Sequence, residues 1–365
     1  MSAFRVWATA VGIAACLAAP AFADQKPPDV RTSDPDAAIK AAAEAARAAE
    51  ARRSNWKVGR TPWGDPDLRG YWLTATYTPL ERPKALGDKA LYTPEEALAA
   101  FKSAVVADAG NDPAVVHYDW KEYGMDAWQS PVRPNPRTSL IIDPPDGQRP
   151  PYSAAARQRQ AAERAALGGR MLESSITSNP GLYSRCITGN NAGPMLRGGN
   201  PGSDQASAAA GVTAEIQLFQ SPGYVVVMTQ SNNDARIIPL AGGAHLPQQV
   251  HTYLGDSRGR WEGTTLVVET TNFNEPATRF RGHGSTPDLK LTERFTLIDP
   301  NTLNYEFTLD DPATWSRSWT AVSPLPRVEP PLYEFACHEH NYGIINVVRG
   351  AQVRDREAAA KKESR

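Results

Sequence analysis

Cysteine is scarce in this chain, which has three in 365 residues, at positions 16, 186 and 337. No two of them stand in a C-x-x-C spacing, so the pattern does not support a thiolate metal site. Excess charge is also missing, since 39 Lys and Arg against 40 Asp and Glu leave a formal net charge of −1. Nucleic-acid binding is therefore not indicated, because it requires clustered positive charge.

Sequence motifs that name a reaction are absent as well. The glycine-rich stretch 189–202 has no G-x-x-x-x-G-K-[ST] pattern and no strand-loop-helix context, so we expect a mobile loop, able to act as a lid. The order Gly255-Asp256-Ser257 is not a G-x-S-x-G elbow, because no helix follows it. Ser257 is therefore predicted to be a turn residue, and Arg258 and Arg260 to pair with nearby carboxylates. No cofactor is predicted.

The first 23 residues have the composition of a signal peptide. Arg5 is followed by the apolar stretch 6–19 and by the small-x-small site Ala21-Phe22-Ala23. This predicts a mature chain that begins at Asp24 in the periplasm or outside the cell. The alternative is a lipoprotein, since Ile13-Ala14-Ala15-Cys16 resembles a lipobox that would place a lipid anchor on Cys16. No later segment approaches the ~20 apolar residues of a transmembrane helix.

Two cysteines remain in the mature chain. In an oxidising compartment, a pair far apart in sequence is most simply a disulfide between Cys186 and Cys337. It would tie together the two ends of the C-terminal region and contribute ~4 kcal/mol on the chain-entropy model.

The N-terminal half is rich in proline and irregular. Residues 24–54 contain an alanine-rich helix without a stripe of large apolar residues, which predicts an exposed spacer. Residues 55–180 are predicted to wrap around the body of the protein, with short helices at 94–104 and 153–167 and a buried strand at 140–142.

The C-terminal half, residues 181–350, has the pattern of an antiparallel β domain. The block from Gly255 to Thr271 predicts a hairpin with a turn at Glu262-Gly263. Strands with short, turn-rich connections are predicted at 213–220, 223–230, 235–239, 249–254, 264–271, 288–298, 302–309, 315–321 and 331–337. We expect a mainly β fold, an antiparallel barrel of the calycin or lipocalin type, with a two-sheet sandwich as the alternative. Residues 351–365 are predicted to be a charged tail.

Four blocks of the chain carry a resemblance: Gly255–Phe273, Leu291–Phe295, Tyr305–Pro312 and Tyr333–Tyr342, preceded by a WGDPDLRGYW entry at Trp63–Trp72. In these blocks the chain resembles a family of uncharacterised secreted bacterial proteins, over residues 60–350. The resemblance implies export but no reaction. The family pattern has His-Asp-x-Arg where this chain has Asn233-Asp234-Ala235-Arg236, and Gly where it has His340. If the family shares one active site, His340 is not essential for its activity. If the histidine that the family has in place of Asn233 was essential, the activity of this chain is lost or altered.

The densest group of functional side chains is the run Cys337-His338-Glu339-His340. On a strand, Glu334 and His338 would share one face and form an acid-base pair inside the barrel. His338 and His340 would also form half of a zinc site, completed by His251 or His245. Spacing places only two ligands, which favours a hydrogen-bonded structural histidine over a metal.

Asp234 and Arg236 would lie on one face of a strand and could pair there, either to bind a substrate or to clasp a strand end. Arg185 would be brought near His338 by the disulfide, which makes it the first candidate for binding an anionic group. Aromatic side chains could stack on a ligand or fill the core; the candidates are Trp261, Trp315 with Trp319 on one strand face, and Tyr333.

Three functions follow from these patterns. The first is a secreted barrel enzyme that uses His338, Glu334, Asp234 and Arg236 for cofactor-independent acid-base chemistry on a small, carbohydrate or aromatic substrate: hydrolysis, elimination or isomerisation. The second is a periplasmic small-ligand binding protein without catalysis. The third is a metal-dependent hydrolase.

Overall fold

The computed structural model describes residues 34–53, 56–110, 132–167, 215–274, 288–329 and 341–363, with short stretches at 182, 185–187, 193–195, 286, 332 and 334–339. The predicted signal peptide, Cys16, Tyr333 and His340 lie outside the described residues. The helices are α1 (Pro35–Arg53), α2 (Pro94–Ala109), α3 (Ala154–Leu167) and α4 (Tyr342–Glu363). The strands are β1 (Gly70–Leu73), β2 (Ile141–Asp143), β3 (Glu215–Ser221), β4 (Tyr224–Thr229), β5 (Ala235–Pro239), β6 (Asp256–Glu262), β7 (Thr265–Thr271), β8 (Lys290–Asp299), β9 (Thr302–Asp310) and β10 (Trp319–Val328).

All ten strands belong to one antiparallel sheet, so the predicted mainly β fold is confirmed. Nine of them follow the order β5-β4-β3-β1-β10-β9-β8-β7-β6, and β2 pairs with β10. The predicted β6–β7 hairpin is present, with Glu262 opposite Thr265 and Gly263 at a φ of 63°. A positive φ is easily adopted by glycine, which explains this residue at the turn.

Alternation of buried and exposed residues decides which face of the sheet carries the core. On β8 and β9 every second residue is buried, and these residues are mostly large and apolar. They pack with β1, β3, β4, β5, β7 and β10 into one cluster that includes Trp72, Phe295, Phe307 and Trp319. Fully burying each such side chain stabilises the fold by about 1.5–3 kcal/mol, so this inner face holds most of the apolar stabilisation.

The two end strands of the sheet, β5 and β6, pack against each other through side chains. A Cβ built on Gly259 of β6 would lie 2.8 Å from Ile238 Cγ2 and 2.8 Å from Leu240 Cδ2. Glycine therefore permits this close approach. Among the described residues no ladder of hydrogen bonds joins β5 to β6, so the sheet is curled but not closed.

The N-terminal region contributes more structure than the sequence indicated. β1 was not predicted, yet it lies between β3 and β10 and places Trp72 in the core. The prediction that residues 24–54 form an exposed spacer is wrong for α1, where Ala38, Ile39 and Ala42 are buried. Small side chains let this helix approach α2 closely, so it needs no stripe of large residues. Ala38, Ile39 and Ala42 belong to a second hydrophobic cluster, separate from the main core, whose other buried members are Leu73, Ala75, Phe101, Val105, Val132 and Val328.

The three predicted helices, α1, α2 and α3, are present, and each begins after a residue whose side chain caps its N-terminus. Asp34 Oδ1 accepts a hydrogen bond from Asp36 N–H, Thr93 forms a capping box with Glu96, and Ser153 Oγ accepts from Ala156 N–H. Such caps satisfy N–H groups that have no partner within the helix.

Several predicted elements are different in the structure. Residues 249–254 form a loop with a single bridge between Thr252 and Phe273, and residues 334–337 are not a strand. The strand predicted at 315–321 begins only at Trp319, and the predicted charged tail belongs to the long helix α4. None of the helices in the described part of the chain is long and apolar enough to cross a membrane.

Candidate functional site

The predicted disulfide is present between Cys186 and Cys337, whose Cα atoms lie 5.6 Å apart. It joins residues 185–187 to the segment 334–339 across 151 residues of sequence. Asn233, at the turn between β4 and β5, supports the same segment, because its side chain forms two hydrogen bonds of 3.5 Å with the backbone of Phe335. The disulfide and this turn together fix the segment that leads into α4.

A surface groove of about 580 Å³ lies beside this disulfide. Its lining combines polar and aliphatic side chains: Arg185, His338, Asn341, Tyr342, Ile344 and Ile345. Arg185, which precedes Cys186, and His338, which follows Cys337, therefore line the same groove. Both residues are exposed to solvent. The groove presents a guanidinium, an imidazole, an amide and a phenol next to two isoleucines.

Asn341 gives this groove part of its shape. Its Oδ1 accepts a hydrogen bond of 3.4 Å from Ile344 N–H, which makes Asn341 the N-cap of α4. Its Nδ2 donates to Cys186 Sγ at 3.3 Å. One amide thus fixes the start of the helix relative to the disulfide, and sequence reasoning had not singled it out.

A second polar group lies inside the sheet. Arg236 on β5 forms a bidentate ion pair with Glu293 on β8, with N–O distances of 2.5 and 2.9 Å. The two side chains are 8% and 0% exposed. Tyr305 donates its hydroxyl to Glu293 Oε1 at 2.8 Å and accepts from Met195 N–H at 3.0 Å. Arg236, Glu293 and Tyr305, called the inner network below, link β5, β8 and β9 through the core.

Burial and charge set the protonation of the inner network. Burial alone would lower the pKa of Arg236, but the adjacent Glu293 carboxylate raises that pKa above its ordinary value. Burial, together with the charge of Glu293, raises the pKa of Tyr305 well above its ordinary value. The guanidinium of Arg236 therefore stays charged and the phenol of Tyr305 stays protonated at neutral pH.

The structure separates several residues that the sequence had grouped. Arg236 pairs with Glu293 and not with Asp234, because Arg236 points to the inner face of the sheet. Glu334 and His338 were expected inside a barrel, but both are exposed, since their segment is not part of the sheet. Glu293 and Tyr305 were missed. A glutamate at an inward position between Leu291 and Phe295 was a signal that could have revealed them.

The predicted metal and aromatic sites also look different. Within the described residues no three His, Cys, Asp or Glu side chains lie together as a metal site, and His340 lies outside that part of the chain. His251 donates through Nδ1 to the carbonyl of Phe273 at 3.0 Å.

Trp315 is buried and stacks on Tyr152 with ring centroids 4.6 Å apart, and Trp261 packs against the main core. Trp315 is therefore a core residue, and Trp261 is partly buried at the border of the core.

The Gly-Asp-Ser run has a structural role. The prediction that Ser257 is a turn residue is wrong, because Ser257 is the buried second residue of β6. Its hydroxyl lies 2.9 Å from Thr270 Oγ1. Asp256 accepts hydrogen bonds from His245, from Leu246 N–H and, as predicted, from Arg258. Burial alone would raise the pKa of Asp256, but these hydrogen bonds lower it below its ordinary value. Asp256 thereby anchors the loop between β5 and β6.

The chain was compared with protein-family models, with curated proteins and with solved structures, and none of them matches it.

Proposed function

We propose that this is an exported binding protein for a small organic anion, and that the ligand lies in the groove beside the Cys186–Cys337 disulfide. The observation that carries the proposal is the position of Arg185 and His338 in one groove with Ile344 and Ile345. Ligand sites commonly combine an apolar floor with a few polar groups that fix orientation.

The chemistry of the lining indicates the ligand. Arg185 can form a bidentate pair with a carboxylate, sulfate or phosphate group. His338 adds a second polar group to the same space, while Ile344 and Ile345 suit an apolar body. No carboxylate of the described chain lines the groove, so an anion meets no like charge there. An aromatic or aliphatic carboxylate fits this combination.

The inner network supports binding rather than catalysis as the main function. Both terminal nitrogens of Arg236 donate to Glu293, and Glu293 also accepts from Tyr305. A substrate would have to break a buried ion pair to reach any of these groups, which costs several kcal/mol. His338 lies in the exposed groove, whereas Arg236 is buried. The groups expected to act together on a substrate therefore do not share one cavity.

Titration calorimetry with a panel of small carboxylates, sulfates and phosphates tests the proposal. Arg185→Ala should lower the affinity for the best ligand at least about tenfold, since a charge-assisted hydrogen bond contributes about 1.5–3 kcal/mol. Arg349→Ala removes an exposed cation of α4 that does not line the groove, and should leave the affinity unchanged. Unchanged affinity in Arg185→Ala would contradict the proposal.

Acid-base catalysis at His338 is the second candidate, favoured by one observation: its imidazole lines a groove that also contains a guanidinium. If a substrate is found by screening, His338→Ala should abolish turnover and leave the circular dichroism spectrum unchanged. Retained turnover would argue against it. The metal-dependent hydrolase predicts a stoichiometric metal, which elemental analysis of untagged protein would detect.

We also propose that the sheet is an incompletely closed barrel of the calycin type. The contact of Gly259 with Ile238 and Leu240 supports it, as does the ion pair that crosses from β5 to β8. Export, supported by the signal-like N-terminus and the disulfide, is part of the proposal, as is membership of the secreted family that the four sequence blocks resemble.

A further inference from the structure

The loop between β5 and β6 combines a fixed backbone with an uncharged sequence. From Leu240 to Gly255 the loop has sixteen residues without Asp, Glu, Lys or Arg, in a protein that is 22% charged. Three large apolar side chains of this loop are exposed: Leu246 at 38%, Val250 at 44% and Tyr253 at 43%. These three residues are called the apolar tip below.

The apolar tip stands on a rigid base. Asn272 Nδ2 donates to the carbonyls of Leu246, Pro247 and Val250 at 2.9 to 3.2 Å. Asn272 O accepts from Thr252 N–H at 3.0 Å, next to Tyr253. Each of the three tip residues therefore lies at or next to a backbone group that is hydrogen-bonded to Asn272. Their exposure is built into the folded loop, because the backbone that would allow them to collapse inward is hydrogen-bonded.

We propose that the apolar tip docks on the neutral, interfacial zone of a lipid bilayer. The three side chains together expose on the order of 250 Å², whereas a stable protein interface buries about 800 Å² on each partner. The tip is thus too small to hold a second protein by itself. Membrane association requires much less, because a few side chains inserted at the headgroup level give weak, reversible binding. Tyrosine suits this zone, since its ring is apolar and its hydroxyl is polar.

The absence of charge defines which membrane surface would be bound. Without lysine or arginine in the loop, anionic lipid offers no attraction, and binding should not weaken at high salt. A loop that bound through electrostatics would show the opposite behaviour.

Flotation with vesicles tests this on the predicted mature chain, which begins at Asp24 and does not carry the apolar stretch 6–19. Phosphatidylcholine–phosphatidylethanolamine vesicles should bind the protein equally well with or without added phosphatidylglycerol, and at low or high salt. Replacing the apolar tip by serine (Leu246→Ser, Val250→Ser and Tyr253→Ser) should lower the vesicle partition coefficient at least about tenfold. A control with serine at the exposed Phe219, Tyr224 and Ile237 should keep it, although these side chains expose as much apolar surface.

Three outcomes would overturn the proposal: no vesicle binding by the native protein, binding that requires phosphatidylglycerol and disappears at high salt, or an equal loss in both triple variants. A fourth outcome that would overturn the proposal comes from sedimentation in buffer, which measures the oligomeric state. If the native protein is a dimer and the tip variant a monomer, the tip binds a second copy and not a lipid surface. Circular dichroism spectra equal to the native spectrum would show that both variants are folded.

Discussion

Replacing Glu293 by glutamine removes one charge from the inner network while keeping the size of the side chain. Arg236 would then remain charged and buried, with an amide in place of its carboxylate. Removing one partner of a buried ion pair typically costs 3–5 kcal/mol, because the remaining charge has lost both its water and its counterion. Since Arg236 and Glu293 are 8% and 0% exposed, solvent does not reduce this penalty much. We expect Glu293→Gln to lower the free energy of unfolding by about 3 kcal/mol or more.

Urea unfolding followed by circular dichroism, with the disulfide intact, measures this free energy. Glu306→Gln is a matched control, because Glu306 also lies on the sheet but is partly exposed and 4.0 Å from Arg294. It should change the free energy by less than about 0.5 kcal/mol. In Arg236→Met with Glu293→Gln, no unpaired charge remains, so much of the lost stability should return. A cost below about 1 kcal/mol for Glu293→Gln, or no recovery in the double variant, would refute the reasoning.

Three further changes have expected results. The pKa of Asp256 is lower in the folded protein than in the unfolded chain. The Asp256 carboxylate therefore stabilises the fold above the unfolded pKa of ~3.9, and this stabilisation is lost as the pH falls through the folded pKa. Asp256→Asn should flatten the acid side of a curve of unfolding free energy against pH. Gly259→Ala should lower the free energy of unfolding by about 1–3 kcal/mol, because the new Cβ would lie 2.8 Å from side chains of β5 and of the following loop. Gly59→Ala is the control, since its Cβ would have no atom within 4 Å, and it should leave that free energy nearly unchanged. Thermal unfolding measures both variants. Replacing Cys186 and Cys337 by serine should cost about 2–5 kcal/mol and abolish groove binding in calorimetry, and unchanged binding would show that the disulfide does not form the groove.

Local signals predicted the β6–β7 hairpin, the helix starts and most strands, because each depends on a few neighbouring residues. The turn at Gly263 and the capping box at Thr93 are of this kind. Prediction was poorer for β1 and for residues 331–337. A four-residue strand such as β1 has little periodicity of its own and exists because β3 and β10 pair with it.

The candidate site divides in the same way. The disulfide could be inferred from cysteine count and compartment, and the position of Arg185 near His338 follows from it. Asn341 could not be identified, because its role depends on where α4 begins relative to Cys186.

For this protein, the order of residues by itself determined the alternating strands, their turns and the pairing of two cysteines, since these properties are local or depend on counting. Only the tertiary structure decided that Arg236 binds Glu293 rather than Asp234. The physical reason is the curl of the sheet. It brings β5 and β8 into contact across the core, although five strands (β4, β3, β1, β10 and β9) lie between them in the sheet. Periodicity along one strand shows which side chains point inward, but not which of them meet there.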